Sequence, residues 1–213
     1  MQLLYPEEGG ILINSNILQP MPLNPRLLNM PGFTRRQILE HYEVLYRGYV
    51  NKVNEIRKLL LSADRKAANA TYSYFRGLKK GETYAMDGVI LHELYFENLG
   101  GSGVATRGDL MRQIERDFGS YHAWLEDFKA TGMAARGWAV LVYDRRSRRL
   151  INYLLDAHDH GVVQNTEAIL VLDVYEHAYF IDYGTRKADY IEAFLDNVDW
   201  NVAEARWKKI KSY

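Results

Sequence analysis

The chain has 213 residues, of which 47% are hydrophobic, and its 27 basic and 27 acidic side chains give a formal net charge of zero. A balanced charge argues against a protein whose main task is to grip nucleic-acid backbones, because that binding depends on excess lysine and arginine. There is no cysteine, which excludes disulfides, thiolate zinc sites and iron–sulfur clusters. Any metal chemistry must therefore rest on the six histidines, the carboxylates and the hydroxyl groups.

No stretch of the sequence is apolar for long enough to span a bilayer. The first residues, MQLLYPEEGG, lack the basic and apolar regions of a secretory signal. We therefore expect no nucleic-acid partner, no membrane partner and a cytoplasmic location.

The first half of the sequence predicts an arm followed by two long helices. Residues 1–32 are rich in proline and have little periodicity, which predicts an extended arm. Thr34 is the expected N-cap of a helix that reaches about residue 63, with apolar side chains repeating every three or four residues. A second helix is expected over residues 82–98, before two glycines. Residues 33–100 are thus predicted to form a long antiparallel helical hairpin.

After residue 100 the pattern changes to short helices and strands. Two amphipathic helices, at 110–118 and 121–131, precede three apolar strands at 137–144, 149–155 and 167–173. The Arg-rich turn RRSRR indicates an antiparallel hairpin between the first two strands, and we expect the three strands to form a small meander. The tail returns to helix. The fold class is therefore α+β, with residues 101–213 as a domain whose three-stranded antiparallel sheet is flanked by helices.

The densest group of potential metal ligands is DAHDH at residues 156–160. Four side chains there could bind a metal ion, although a solvated polar loop is the commoner fate of such a run. His122, which lies beside aromatic residues, is expected to be a packing residue.

Other histidines lie on predicted elements. His41 and His92 lie on helices, where a histidine is more often a hydrogen-bonded core residue than a ligand. Asp173 ends an apolar strand, and His177 follows four residues later. Because a buried carboxylate is costly unless it is paired or metal-bound, we expect Asp173 to have a strong partner.

The segment DVYEHAYFIDYGTRKADYIEAFLDNVDW, which begins at Asp173, closely resembles the signature region of iron/manganese superoxide dismutases. That pattern is Asp-x-Trp-Glu-His-Ala-Tyr, followed by Asp-Tyr and Asp-Tyr-Ile. The segments GWAVL at 137–141, Tyr-Val-Asn at 49–51 and HELYFENL from His92 resemble further parts of the same family. The resemblance extends over residues 32–207, whereas the arm before it has no counterpart.

The resemblance implies a metal ion bound by His41, His92, Asp173 and His177. Three neutral imidazoles and one carboxylate give a redox metal a single compensating negative charge. They also leave one coordination position open for solvent or a small anion. The family's reaction has two half-reactions. One superoxide is oxidised to dioxygen, and a second is reduced to hydrogen peroxide. Each subunit is therefore expected to bind one iron or manganese ion.

The resemblance also assigns the surroundings of the metal. Tyr49 matches the family's gateway tyrosine and Trp138 its pocket tryptophan. Gly88 stands where some members have a glutamine that bonds the metal's solvent ligand, so we expect His158, from the loop between the last two strands, to make that bond instead. Histidine at this position favours iron, with tolerance of either metal.

Three positions depart from the family pattern. Tyr175 replaces the motif tryptophan, Leu45 replaces a histidine, and Phe180 replaces the tyrosine that bonds that histidine across the dimer. Glu176 keeps the role of bonding the ligand histidine of the other subunit, which implies a homodimer or a higher oligomer. The leading interpretation is a superoxide dismutase. The alternatives are another redox activity at the same site or an interaction module with the dismutase fold.

Overall fold

The computed structural model describes residues 17–212, and the first half of the predicted arm lies outside these residues. Residues 17–24 have no regular secondary structure, and Pro25–Asn29 forms a short 3-10 helix within the predicted extended arm. The side chain of Asn24 caps this helix by accepting a hydrogen bond from the backbone N–H of Arg26. A proline at the start fits the helix, because its missing N–H has no partner there anyway.

Helix α1 is continuous over residues 35–62 and has three parts: an α-helical turn at Arg35–Leu39, a π-helical segment at Glu40–Tyr46 and an α-helix at Arg47–Ser62. Thr34 caps it as predicted, because its side chain accepts a hydrogen bond from the backbone N–H of Gln37. Helix α2, Tyr74–Glu97, begins about eight residues earlier than predicted, with Ser73 as its N-cap. Its first two turns carry glycines and lysines, which concealed the helical pattern.

Helices α3, Asp109–Phe118, and α4, Tyr121–Ala134, lead into the sheet. Its strands are β1, Trp138–Asp144, β2, Arg149–Leu155, and β3, Thr166–Asp173, all paired antiparallel. The strand order is β2-β1-β3, so the predicted meander is wrong. Strand β1 is central and is buried from Trp138 to Val142, whereas the edge strand β2 has exposed residues at Arg149 and Leu154.

The chain ends in a 3-10 turn at Glu176–Ala178 and in helices α5, Phe180–Tyr183, α6, Lys187–Asp196, and α7, Trp200–Lys211. The α+β class with a three-stranded antiparallel sheet is confirmed. One hydrophobic cluster includes residues from both sides of residue 100, so the two predicted domains share a core. The division into an arm, a helical-hairpin domain and an α+β domain stays a prediction. Among residues 17–212, no helix combines the length and apolar character needed to cross a membrane.

Candidate metal centre

Four side chains from different parts of the fold converge at one point. His41 comes from α1, His92 from α2, Asp173 from the end of β3, and His177 from the 3-10 turn after it. One potential ligand atom from each lies within 4.8 Å of the others. The Nε2 atoms of His41, His177 and His92 lie 3.1, 3.2 and 3.6 Å from Asp173 Oδ2. This group is the predicted ligand set.

The local backbone explains how these side chains reach the same point. His41 lies in the π-helical segment of α1, and such segments occur frequently at functional sites. Asp173 pairs with Trp138 in the sheet, and its Oδ1 accepts a hydrogen bond from the backbone N–H of Tyr175. This bond turns the chain directly after β3, so that His177 returns to the same carboxylate four residues later.

The protonation of the group suits a metal ion. Because a carbonyl can only accept, His92 Nδ1 donates to Gly88 O at 2.6 Å, which leaves the lone pair of Nε2 facing Asp173. That Nε2 atom is buried and has no hydrogen-bond partner among the described residues. Burial lowers the pKa of His92 to about 3 and also lowers that of His41, so both imidazoles are neutral. Neutral imidazole is the form that binds metals.

Asp173 supplies the negative charge of the group. Burial alone would raise its pKa, but the proximity of His177 and the hydrogen bonds from His177 and His41 hold the pKa well below its usual range. The result is one ionised carboxylate among three nitrogen donors. Such a mixed set of imidazole and carboxylate suits iron or manganese, so the residues fit the expected metal.

A chain of hydrogen bonds runs along one side of the metal centre. Trp138 Nε1 donates to His158 Nδ1 at 3.0 Å, and His158 Nε2 lies 2.7 Å from Tyr49 Oη. Since an indole N–H can only donate, the proton of neutral His158 is on Nε2, which donates to Tyr49. Burial lowers the pKa of His158 to about 4, which keeps the ring neutral. Both ring nitrogens thus bond to protein groups, and the predicted bond from His158 to solvent stays a prediction.

Gly88 makes room for this arrangement. A Cβ atom at this position would lie 3.1 Å from two ring atoms of Tyr49 and 3.2 Å from His158 Cδ2. These distances are shorter than comfortable van der Waals contacts. The absence of a side chain on α2 therefore allows His158 to enter from the loop between β2 and β3.

Two more tyrosines border the centre. Tyr175 stacks on His177 with ring centroids 5.1 Å apart and an interplanar angle of 15°. The ring centroid of Tyr84, a residue not predicted from the sequence, lies 4.7 Å from that of His158. Tyr84 is eight residues before His92 on α2, and helical spacing from the ligand was the signal that could have revealed it.

The segment at residues 156–160 separates into inner and outer residues. His158 is fully buried, whereas Asp156, Asp159 and His160 are exposed. Among residues 17–212, the group around Asp173 is the one that could hold a metal ion, so this segment is not a second centre. The packing role expected for His122 is wrong: its side chain is 78% exposed, at the helix surface beside Glu126.

Comparison with known proteins agrees with this geometry. Residues 106–206 match the family model described as iron/manganese superoxide dismutases, C-terminal domain. The chain is 43% identical over 191 residues to the superoxide dismutase [Fe] of Aquifex pyrophilus, covering 87% of this chain and 89% of that protein. The corresponding protein of Aquifex aeolicus is 42% identical with the same coverage. A superoxide dismutase [Mn] of Haloferax volcanii is 36% identical, covering 90% of this chain and 95% of that protein. The chain therefore belongs to the iron/manganese superoxide dismutase family.

Proposed function

We propose that this chain is a superoxide dismutase that converts superoxide to dioxygen and hydrogen peroxide. The observation that carries the proposal is the convergence of three imidazoles and one carboxylate, with ligand atoms within 4.8 Å of one another, in a chain of this family. His41, His92, Asp173 and His177 would hold one metal ion. When bound, the ion supplies the one-electron oxidation and reduction that the reaction needs.

Iron is the favoured metal, and manganese is an acceptable one. His158 occupies the loop position at which the family resemblance favours iron. The relatives at 43% and 42% identity are named as iron enzymes, and one at 36% identity is named as a manganese enzyme. The donor set itself fits both ions.

The chain's own residues control protons beside the metal centre. Trp138 fixes the proton of His158 on Nε2, and this proton is donated to Tyr49 Oη. Burial raises the pKa of Tyr49, so the phenol stays protonated at neutral pH. Because Oη accepts from His158, the hydroxyl hydrogen of Tyr49 can be donated to another acceptor, such as a small anion. We assign Tyr49 and His158 to proton delivery, and Trp138 to holding His158 in place.

A homodimer or a higher oligomer is the proposed assembly. Glu176 is exposed, and the neighbouring His177 side chain is 24% exposed, so the ligand is open toward the surface. Both residues line a surface cavity of about 610 Å³ that a second copy could cover. Phe180 is 49% exposed and Leu45 is half-buried, which would make this part of the interface apolar. A cytoplasmic location stays a prediction.

The alternative function is another redox activity or an interaction role on the same fold. It is motivated by Tyr175, Leu45 and Phe180, which depart from the family pattern. The complete set of four ligands counts against the interaction role, because a chain that had lost the metal chemistry would not need to keep them.

The test is superoxide consumption by protein that is stripped of metal and then reloaded separately with iron, manganese or zinc. Zinc fits the same donors but has no accessible redox states, so it provides the matched negative control. We expect activity in the iron form, the manganese form or both, and none in the zinc form. Inactivity of fully loaded iron and manganese forms would contradict the proposal and favour the alternative.

A further inference from the structure

A buried amide connects the first turn of α1 to the turn that carries His177. The Gln37 side chain is fully buried, and its Nε2 donates to the backbone carbonyl of His177 at 2.7 Å. Its Oε1 accepts from the backbone N–H of Ile181 at 3.2 Å. One side chain thus holds the chain at the ligand and again four residues later.

The same helical turn makes a second connection to this segment. Thr34, the N-cap of α1, bonds through Oγ1 to the backbone N–H of Gln37 at 3.1 Å. The backbone N–H and the hydroxyl of Thr34 donate to Asp182 Oδ2 and Oδ1 at 2.7 and 2.6 Å. The start of α1 is therefore fixed to both ends of the stretch from His177 to Asp182.

His177 is the ligand that most needs such support. The side chains of His41, His92 and Asp173 are fully buried, whereas that of His177 is 24% exposed. His177 also lies in a 3-10 turn of three residues, which has few internal hydrogen bonds. His41 follows Gln37 by four residues on the same helix. The Gln37 side chain therefore connects the helix of one ligand to the turn of another ligand that lies 136 positions away in the chain.

We propose that Gln37 is a positioning residue for His177, which sets the orientation of this ligand relative to His41 and thereby the affinity and geometry of the metal site. The inference rests on the proposed function, in that the four residues bind the ion. Groups that orient metal ligands typically change metal affinity or activity about 10- to 100-fold when they are removed. We expect an effect of that size on metal affinity.

The test compares Gln37→Met with a matched control, Gln113→Met. Methionine has a similar shape and cannot make the two hydrogen bonds of the glutamine side chain. Gln113 is also buried, but its amide bonds to Asp117 and Arg116 on its own helix, α3. Iron affinity is measured by competition with a chelator, and the ligand geometry by the electron paramagnetic resonance spectrum of the ferric protein.

Gln37→Met is expected to bind iron about 10- to 100-fold more weakly and to give an altered ferric spectrum, with Gln113→Met unchanged in both. A Gln37→Met protein with wild-type affinity and spectrum would overturn the proposal, as would equal changes in both variants. If Gln37→Met does not fold, Gln37→Glu keeps the shape and the acceptor for Ile181 but replaces the donor to His177. The same weaker binding and altered spectrum are then expected, and wild-type values overturn the proposal. Failure of the metal site itself would show separately, as wild-type protein without stoichiometric iron.

Discussion

Replacing Gly88 by alanine tests whether α2 must lack a side chain where His158 enters. The new Cβ would lie 3.1 Å from two ring atoms of Tyr49 and 3.2 Å from His158 Cδ2. Overpacking of this kind costs about 1–3 kcal/mol. Alanine in place of glycine inside a helix stabilises it by about 1 kcal/mol. We therefore expect Gly88→Ala to lower the free energy of unfolding by about 0–2 kcal/mol.

Gly77 on the same helix provides the control, because a Cβ there would have no neighbouring atom within 4 Å. Gly77→Ala should stabilise the protein by up to about 1 kcal/mol, so that the two variants differ by about 1–3 kcal/mol in urea unfolding of the metal-free protein. Gly88→Ala should also lower the activity of the loaded protein, because it displaces the 2.7 Å bond between His158 and Tyr49. Equal stability of the two variants, with full activity in both, would refute the reasoning.

Three further predictions concern the metal centre and its hydrogen bonds. The pKa of His158 is about 4 when folded, against about 6.5 when unfolded, so His158 stabilises the metal-free protein above pH 6.5 and this contribution is lost as the pH falls toward 4. Between pH 8 and pH 5 this lowers the free energy of unfolding, measured in urea, by about 2 kcal/mol. His158→Gln should lack this part of the pH dependence, and an equal fall in the variant contradicts the prediction. Trp138→Phe removes the donor to His158 Nδ1, so activity should fall about tenfold at unchanged metal content, whereas a loss of metal would show a structural role instead. With free iron at 100 times its dissociation constant, binding should add about 2.7 kcal/mol to the free energy of unfolding. Asp173→Asn should lose most of this gain, and a wild-type gain would remove Asp173 from the ligand set.

Sequence patterns predicted the elements better than their arrangement. Helix α1 was predicted nearly to the residue, because its apolar spacing and the Thr34 cap are local signals. The start of α2 was missed, since its first turns are polar and rich in glycine. The order of the strands was also missed, because the pairing of β3 with β1 joins distant parts of the chain and leaves no local pattern.

The same distinction between local and distant contacts applies to the site. The four ligands were predicted from the resemblance to the family, and the structure brings them together. Gln37 was not predicted, because its bond to His177 joins residues 140 positions apart and leaves no local pattern. The bond between Trp138 and His158 likewise spans the β2 hairpin and the following loop. Contacts of this kind form only when distant segments of the chain pack together in the folded protein.

The most direct test of the central claim is a crystal structure of metal-loaded protein, with anomalous diffraction measured at the iron and manganese absorption edges. We expect one strong anomalous peak per chain, bounded by Nε2 of the three ligand histidines and Oδ2 of Asp173. A peak elsewhere, for example beside the exposed residues of the segment at 156–160, or no peak in protein that contains one ion per chain, would contradict the account.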